Sequence, residues 1–429
     1  MLNRRVVVQA VIALTASRIA VNMTRRFAYP FLPTIARQMA VPLATAQSII
    51  AVQGSSGLIS PLFGPLAERL RRKTVMIGAV LLMAAAAALG AIAPHIGIFA
   101  IVMFGFGLGK AIYDPSMYAW MGDNISYNRR GMALGFGELS WALSLFVAAP
   151  VAGFLLAQSD NSAIGSLYLQ FAGSSVFDIP TSDPSGLRNV MLMFVVLLLI
   201  AAMIILRFVP SNAPHPDQAS RPVSPIAVLR TLRGHPAALG AIGFAFTLPF
   251  ANEIIFINYG VFMERSFALT LAVLGTLTIV ISIAEVIGEF NVIFLADRLG
   301  KRRLTLIGAA VTAVTYIILP FTTASLPLAL IVLFVMFVSF ETGIVASLSL
   351  FTEVMPNDRA IMMSSATGAA SLGRVAGATF GGILFSTTSS FLVIGVVALV
   401  IGLMAAMLLW LYVPEAPSQE GPGNRLPSS

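Results

Sequence analysis

The chain has 429 residues, 58% hydrophobic and only 10% charged, with a mean hydropathy of +0.90. A soluble domain carries about 25% charged residues, so a soluble globular enzyme, a disordered chain and a coiled coil are excluded. The apolar runs are also far longer than the roughly ten-residue alternating strands of a membrane barrel, which leaves an all-α membrane protein crossing the bilayer many times.

A membrane-crossing helix needs about 20 mostly apolar residues. Twelve such runs follow in chain order: 6–31, 44–64, 74–93, 97–120, 131–156, 188–209, 237–261, 268–294, 304–321, 326–351, 360–385 and 388–413. Arg4 and Arg5 ahead of the first run imitate a signal peptide, but no convincing cleavage site follows and eleven more spans do, so it is read as the first helix. Residues 157–187, with Asp160, Asp178 and Asp183, form the longest outer loop, and the proline-rich stretch 210–236 forms a central linker. The tail 414–429 is rich in Pro, Gly and Ser and reads as disordered. The chain thus divides into six-span bundles over 1–209 and 237–413.

Placing the N-terminus in the cytoplasm puts 17 Lys and Arg in inner segments and 3 in outer ones. That excess predicts cytoplasmic termini in a cell membrane. It also accounts for the net charge of +8 without a nucleic-acid partner. There is no cysteine, and His95, His215 and His235 fall at span ends or in a loop, so neither metal nor cofactor is expected. The inner loops carry no nucleotide-binding loop, HExxH motif or nucleophile elbow, which argues against an enzyme or an ATP-driven pump.

The halves repeat. Ala67-Glu68-Arg69-Leu70 recurs as Ala296-Asp297-Arg298-Leu299, an offset of 229 that also takes Arg130 to Arg359 and Gly153 to Gly382. The basic run Arg71-Arg72-Lys73 recurs, shifted, within Gly300-Lys301-Arg302-Arg303. Two bundles of this kind hold a site near the bilayer midplane between them.

With these residues the chain resembles the major facilitator superfamily over essentially its full length. The loop from Gly64 to Lys73 is similar to the family's G-x-x-x-D-R-x-G-R-R signature, with Glu68 for Asp and Arg71 for the second Gly. The second copy keeps Asp297 and Gly300 but has Ile293 at the first Gly. The resemblance implies twelve helices in two pseudo-symmetric bundles that work by alternating access. It also implies a central cavity lined by spans one, four, seven and ten. It implies a cytoplasmic gate at Gly64, Glu68, Arg69 and Arg72, with Asp123 as partner of Arg72, repeated at Asp297, Arg298 and Arg302. The alternative is that these charges only anchor loops. Span five keeps only Pro150 and Gly153 of the family's antiporter pattern, and Met103 stands where many proton-coupled drug exporters carry Arg. The glycines of span eleven, Gly373, Gly377, Gly381 and Gly382, equally suit close helix packing.

Eleven ionisable residues fall inside the spans: Arg18, Arg25, Arg26, Lys110 and Arg374, and Asp114, Glu138, Glu253, Glu285, Glu289 and Glu341. A charge at the bilayer centre costs about 2.5–3.5 kcal/mol even on insertion scales, so these should pair, face the interior or line a wet cavity. Arg18, Asn22, Arg25 and Tyr29 share one face of span one. With Lys110, Asn252, Glu253 and Glu341 they are the candidate substrate contacts. Arg26 is expected to snorkel to the outer interface. Lys110 and Asp114 stand four apart and can pair. Glu285 and Glu289 are one turn apart and cannot both stay ionised cheaply, which suits proton carriage. With Asp114, Glu138, Glu341 and Arg374 they form the candidate coupling set, unless Arg374 bridges one of them permanently.

The leading expectation is proton-coupled export of a small organic or amphiphilic compound by a monomer in the lipid bilayer. The second is proton-coupled uptake of an organic anion, favoured by Arg18 and Arg25.

Overall fold

The computed structural model describes residues 3–56, 71–93, 95–125, 127–160, 185–211, 232–355 and 359–414. Among them the chain is helical with no strand, and ten helices are long and apolar enough to cross a membrane. Span two appears as Leu43–Ser55, its remainder lying outside the described residues. Span eleven is the helix Arg359–Thr388, which glycine, serine and threonine make less apolar than those ten. Helices run past the apolar stretches where polar ends continue them, so span four covers Ile96–Asn124 and span five Tyr127–Asp160. Most of the 157–187 loop, the central linker and the tail lies outside the described residues.

The outer surface is apolar. Phe154, Met203, Ile293 and Phe321 are 59–69% exposed, an arrangement unfavourable in water by about 25 cal/mol per Å² and neutral against acyl chains. This is a multi-pass membrane protein. Small residues let helices approach inside it, since lipid gives no hydrophobic drive between helices. A Cβ added at Gly373, Gly377 or Gly381 of span eleven would stand 2.1, 2.6 or 2.9 Å from Phe246 O, Phe250 O or Ile254 Cα of span seven. Gly373→Leu should therefore destabilise the C-terminal half by about 1–3 kcal/mol, visible as a lower melting temperature in detergent. An unchanged melting temperature would contradict this packing.

Spans one and seven are each broken. Span one is Arg4–Arg26 followed by Ala28–Gln38, and span seven is Pro236–Phe256 followed by Tyr259–Phe267. In span one, Pro30 cannot donate to the Arg26 carbonyl. Freed carbonyls are met by glutamines of span two: Gln53 Nε2 donates to Thr24 O at 3.2 Å, and Gln47 Nε2 to Ile257 O at 3.2 Å and Asn258 Oδ1 at 2.9 Å. Irregular backbone at membrane depth is tolerated where such partners exist. The breaks at Phe27 and Ile257 lie 230 residues apart, nearly the offset of the sequence repeat.

The halves meet at the end of the bundle remote from the chain termini. A Cβ at Gly260 would lie 2.3 Å from Pro30 O, and one at Gly275 2.3 Å from Ala149 O. The repeated glycines have matching duties. A Cβ at Gly153 of span five would stand 2.5 Å from Leu271 O of span eight, and one at Gly382 of span eleven 2.9 Å from Gln47 Oε1 of span two. Arg37 and Glu264 add an ion pair at 2.5 Å across this seam.

Candidate functional site

The face of span one predicted from spacing meets a polar network built wholly from the N-terminal half. Arg18 Nε donates to Asp114 Oδ1 at 3.0 Å, its Nη2 to Tyr118 Oη at 2.5 Å, and its Nη1 lies 3.0 Å from Glu138 Oε1. Tyr118 in turn donates to Glu138 at 2.5 Å. Lys110 Nζ donates to Asp114 Oδ2 at 2.7 Å and to Asn22 Oδ1 at 2.5 Å, and Asn22 Nδ2 donates to Ser140 Oγ at 3.1 Å. Two cations and two carboxylates balance, as charges buried from water must. The Lys110–Asp114 pair read from the sequence is present, but Asp114 is shared with Arg18. Glu138 is the member of the network that opens outward, its side chain 45% exposed.

Arg26 does not snorkel. It is 2% exposed and turned into the seam between halves. Its Nη1 and Nη2 donate to Glu285 Oε2 and Oε1 at 2.7 and 2.6 Å, and Nη1 also reaches Trp141 O at 3.0 Å. The bidentate fork makes this a strong, geometrically exact-fitting contact, and it joins span one to span eight. The permanent Arg374 bridge to Glu285 or Glu289 that the sequence left open is absent: Glu285 is taken by Arg26, and Arg374 has no ion pair among the described residues. Arg374 instead lies over the Trp141 ring, 5.5 Å from its centroid, with Arg26 at 4.4 Å and Lys110 at 5.6 Å from the same ring. Trp141, Tyr118 and Ser140 had no signal in the sequence beyond being polar or aromatic residues within apolar spans.

Tyr29 Oη donates to Glu253 Oε1 at 2.7 Å, a further cross-half bond, and stacks on Phe256 at 4.3 Å. Asn252 Oδ1 accepts from Tyr316 Oη at 3.3 Å inside the C-terminal half. Four interior charges remain. Arg25, Arg374, Glu289 and Glu341 have no hydrogen bond or ion pair with any described residue. Glu341 packs where span ten crosses span eight, its Cβ 2.6 Å from the place a Cβ on Gly288 would occupy.

Gly64, Glu68 and Arg69 of the expected gate, and the Asp297 side chain, lie outside the described residues; Arg298 is exposed. The remaining members repeat symmetrically. Arg72 Nε donates to Asp123 Oδ2 at 2.6 Å, tying the start of span three to the end of span four, and Lys301 binds Glu353 at the corresponding ends of spans nine and ten. Lys73 donates to Leu206 O at 2.7 Å, and Arg302 to Trp410 O and Val413 O, both at 2.6 Å. Each cation thus satisfies the last carbonyls of its bundle's final helix, where the dipole is negative. In this conformation each of these five bonds stays within its own half.

Known proteins share this architecture. The fold is similar to that of a bacterial homologue of the human lysosomal transporter Spinster, in an inward-facing, unoccupied conformation (TM-score 0.74, 16% identity, 96% of this chain and 98% of that one). It is also similar to a D-xylose–proton symporter (TM-score 0.72, 16% identity, 95% and 98%). In sequence, the chain is 23% identical over 366 residues to YceJ of Bacillus subtilis (strain 168), an uncharacterised MFS-type transporter, covering 84% of this chain and 85% of that protein. A 26% match over 145 residues to YwfA, another uncharacterised MFS-type transporter of that organism, covers 34% of this chain and 35% of YwfA. The Major Facilitator Superfamily profile matches residues 14–257 and 243–427. A helical, membrane-crossing chain with a doubled bundle and a polar interior, matched by this profile along nearly its whole length, belongs to the Major Facilitator Superfamily of transporters.

Proposed function

We propose that this chain is a secondary active transporter working by alternating access, and that it exports a small organic or amphiphilic compound in exchange for protons across the cell membrane, as a monomer. One observation carries the coupling. Glu289 and Glu341 have no bonding partner among the described residues and are close enough to feel Glu285 electrostatically, and Glu285 supplies one side of the ion pair between the halves. A proton taken up in this group of carboxylates changes the charge that holds Arg26 and so biases the bundle between its two conformations. Asp114 and Glu138 tie the same charge balance to span one. Contact at the end remote from the termini suits loading from the cytoplasmic side if the termini are cytoplasmic, as the Lys and Arg distribution indicates.

A second reading, uptake of an organic anion with protons, is favoured by Arg25 and Arg374. Proteoliposomes with an imposed pH gradient separate the two by the direction of accumulation. Across a panel of organic acids and neutral amphiphiles, at least one compound should accumulate against its gradient, and a protonophore should abolish that. Accumulation indifferent to the pH gradient would overturn the coupling. Glu289→Gln and Glu341→Gln should each cut gradient-driven accumulation at least tenfold, about 1.4 kcal/mol or more of coupling, while leaving counterflow intact.

A further inference from the structure

We propose that Arg25 of span one and Arg374 of span eleven form, across the seam between halves, a recognition site for an organic anion such as a carboxylate on an apolar body. This rests on the transporter reading above and names the cargo class.

Of the five cations inside the spans, three have carboxylate partners: Arg18 and Lys110 with Asp114, and Arg26 with Glu285. Arg25 and Arg374 have none among the described residues, although each is at least partly withdrawn from solvent. They come from opposite halves and are close enough to repel each other. Unpaired like charges drawn together in a membrane interior are unfavourable unless something else occupies the space between them. The geometry places them in one locus. Arg374 lies over Trp141. Gly377, three residues further along span eleven, abuts the Cβ of Glu253 at 2.7 Å, and Glu253 accepts from Tyr29, which lies one helical turn beyond Arg25.

Glu253 is one carboxylate that both arginines feel, but its hydrogen bond goes to Tyr29. Arg374 also feels Glu341 and Arg25 feels Asp114, yet among the described residues none of these carboxylates bonds to either guanidinium. Both forks are left with unused N–H donors, which an organic anion would fill and a cation would not. Guanidiniums are matched to a carboxylate or similar oxyanion by their paired N–H donors. The aromatic groups beside them, Trp141 and Tyr29, offer an apolar wall to the rest of such a molecule. Because the two arginines belong to different halves, an anion bound to both would also draw the halves together, which is what alternating access requires of its cargo.

The experiment is equilibrium binding to the purified full chain in detergent, with no gradient. Trp120→Phe and Trp410→Phe leave Trp141 as the sole tryptophan reporter, since the chain has three. Benzoate, naphthoate and a series of fatty acids are titrated beside benzamide and ethidium. At least one carboxylate should perturb Trp141 emission with saturation, and the neutral amide and the cation should bind at least tenfold more weakly. Arg25→Gln and Arg374→Gln should each weaken carboxylate binding at least tenfold, with partial recovery in the Lys variants. Their melting temperatures should not fall, because each removes an unpaired charge, so loss of binding cannot be put down to misfolding. No carboxylate binding, equal binding of benzamide, or unchanged binding in both Gln variants would overturn the site. Carboxylate binding without pH-driven transport would leave the site standing and sink the coupled-transport reading. Proton-driven transport of ethidium without carboxylate binding would do the reverse.

Discussion

Arg26→Ala should lower the stability of the protein by about 3–5 kcal/mol, because truncating one partner of a buried ion pair leaves the other charge uncompensated. Glu285 is that partner, held by two donors at 2.6 and 2.7 Å in a seam where both side chains are 4% exposed or less. The double variant Arg26→Met/Glu285→Leu removes both charges and should recover most of the loss, since apolar replacement of a whole buried pair is often neutral or better. The measurement is thermal unfolding in detergent of the wild type, the single variants and the double. If Arg26→Met and Glu285→Leu each cost little and their effects simply add in the double variant, the pair does not couple the halves. If the double variant is stable yet fails to transport, the ion pair belongs to the conformational cycle and not only to the fold. That outcome would tie Arg26, which the sequence assigned only to the outer interface, to the coupling proposed for Glu289 and Glu341.

The second large effect is expected at the seam remote from the termini. Gly260→Val would place a Cβ 2.3 Å from Pro30 O. That neighbour is backbone, and it belongs to the short helix Ala28–Gln38 on the other half, so it cannot swing aside as a flexible side chain would. Separating the halves at that end relieves the clash at the loss of the Arg37–Glu264 pair, which is partly exposed and worth about 0–1 kcal/mol, and of the Gln47 bonds to Ile257 and Asn258, worth about 0.5–1.5 kcal/mol each. These ties yield before the backbone does, so the variant should populate conformations open at that end. The absence of cysteine gives a clean background for labelling. Spin labels at Met39→Cys and Ser266→Cys should show a longer distance distribution in the Gly260→Val protein than in its parent. An unchanged distribution, in a variant that still folds, would show that span seven absorbs the strain internally. Gly275→Val, facing Ala149 O at 2.3 Å, is the matching variant between spans five and eight and should act in the same direction.

The sequence carried much of the fold. Apolar run length alone predicted the twelve spans, because a helix that satisfies its own backbone bonds is the solution open to such runs in lipid. The offset of 229 announced the doubled bundle. The structure gives that repeat physical content: paired glycines at matching seams, paired breaks in spans one and seven, and cation pins at matching helix ends. The helical face Arg18, Asn22, Arg25 and Tyr29 was likewise readable, since side-chain direction follows from the 3.6-residue turn. Two of its four members bond within one half, Tyr29 bonds across to the other, and Arg25 is left over.

Beyond the Lys110–Asp114 pair, pairing was not readable, and Arg25 and Arg26 show why. They are neighbours with the same side chain at nearly the same depth. About 100° of rotation on the helix separates them, and that rotation sends one into a bidentate bond with Glu285 and leaves the other without a partner among the described residues. Composition determined which eleven ionisable groups the membrane interior must accommodate. Tertiary packing decided which of them cancel: Arg18 and Lys110 against Asp114 and Glu138 by the folding of the N-terminal half on itself, and Arg26 against Glu285 by the docking of one bundle on the other, a contact between residues 259 positions apart.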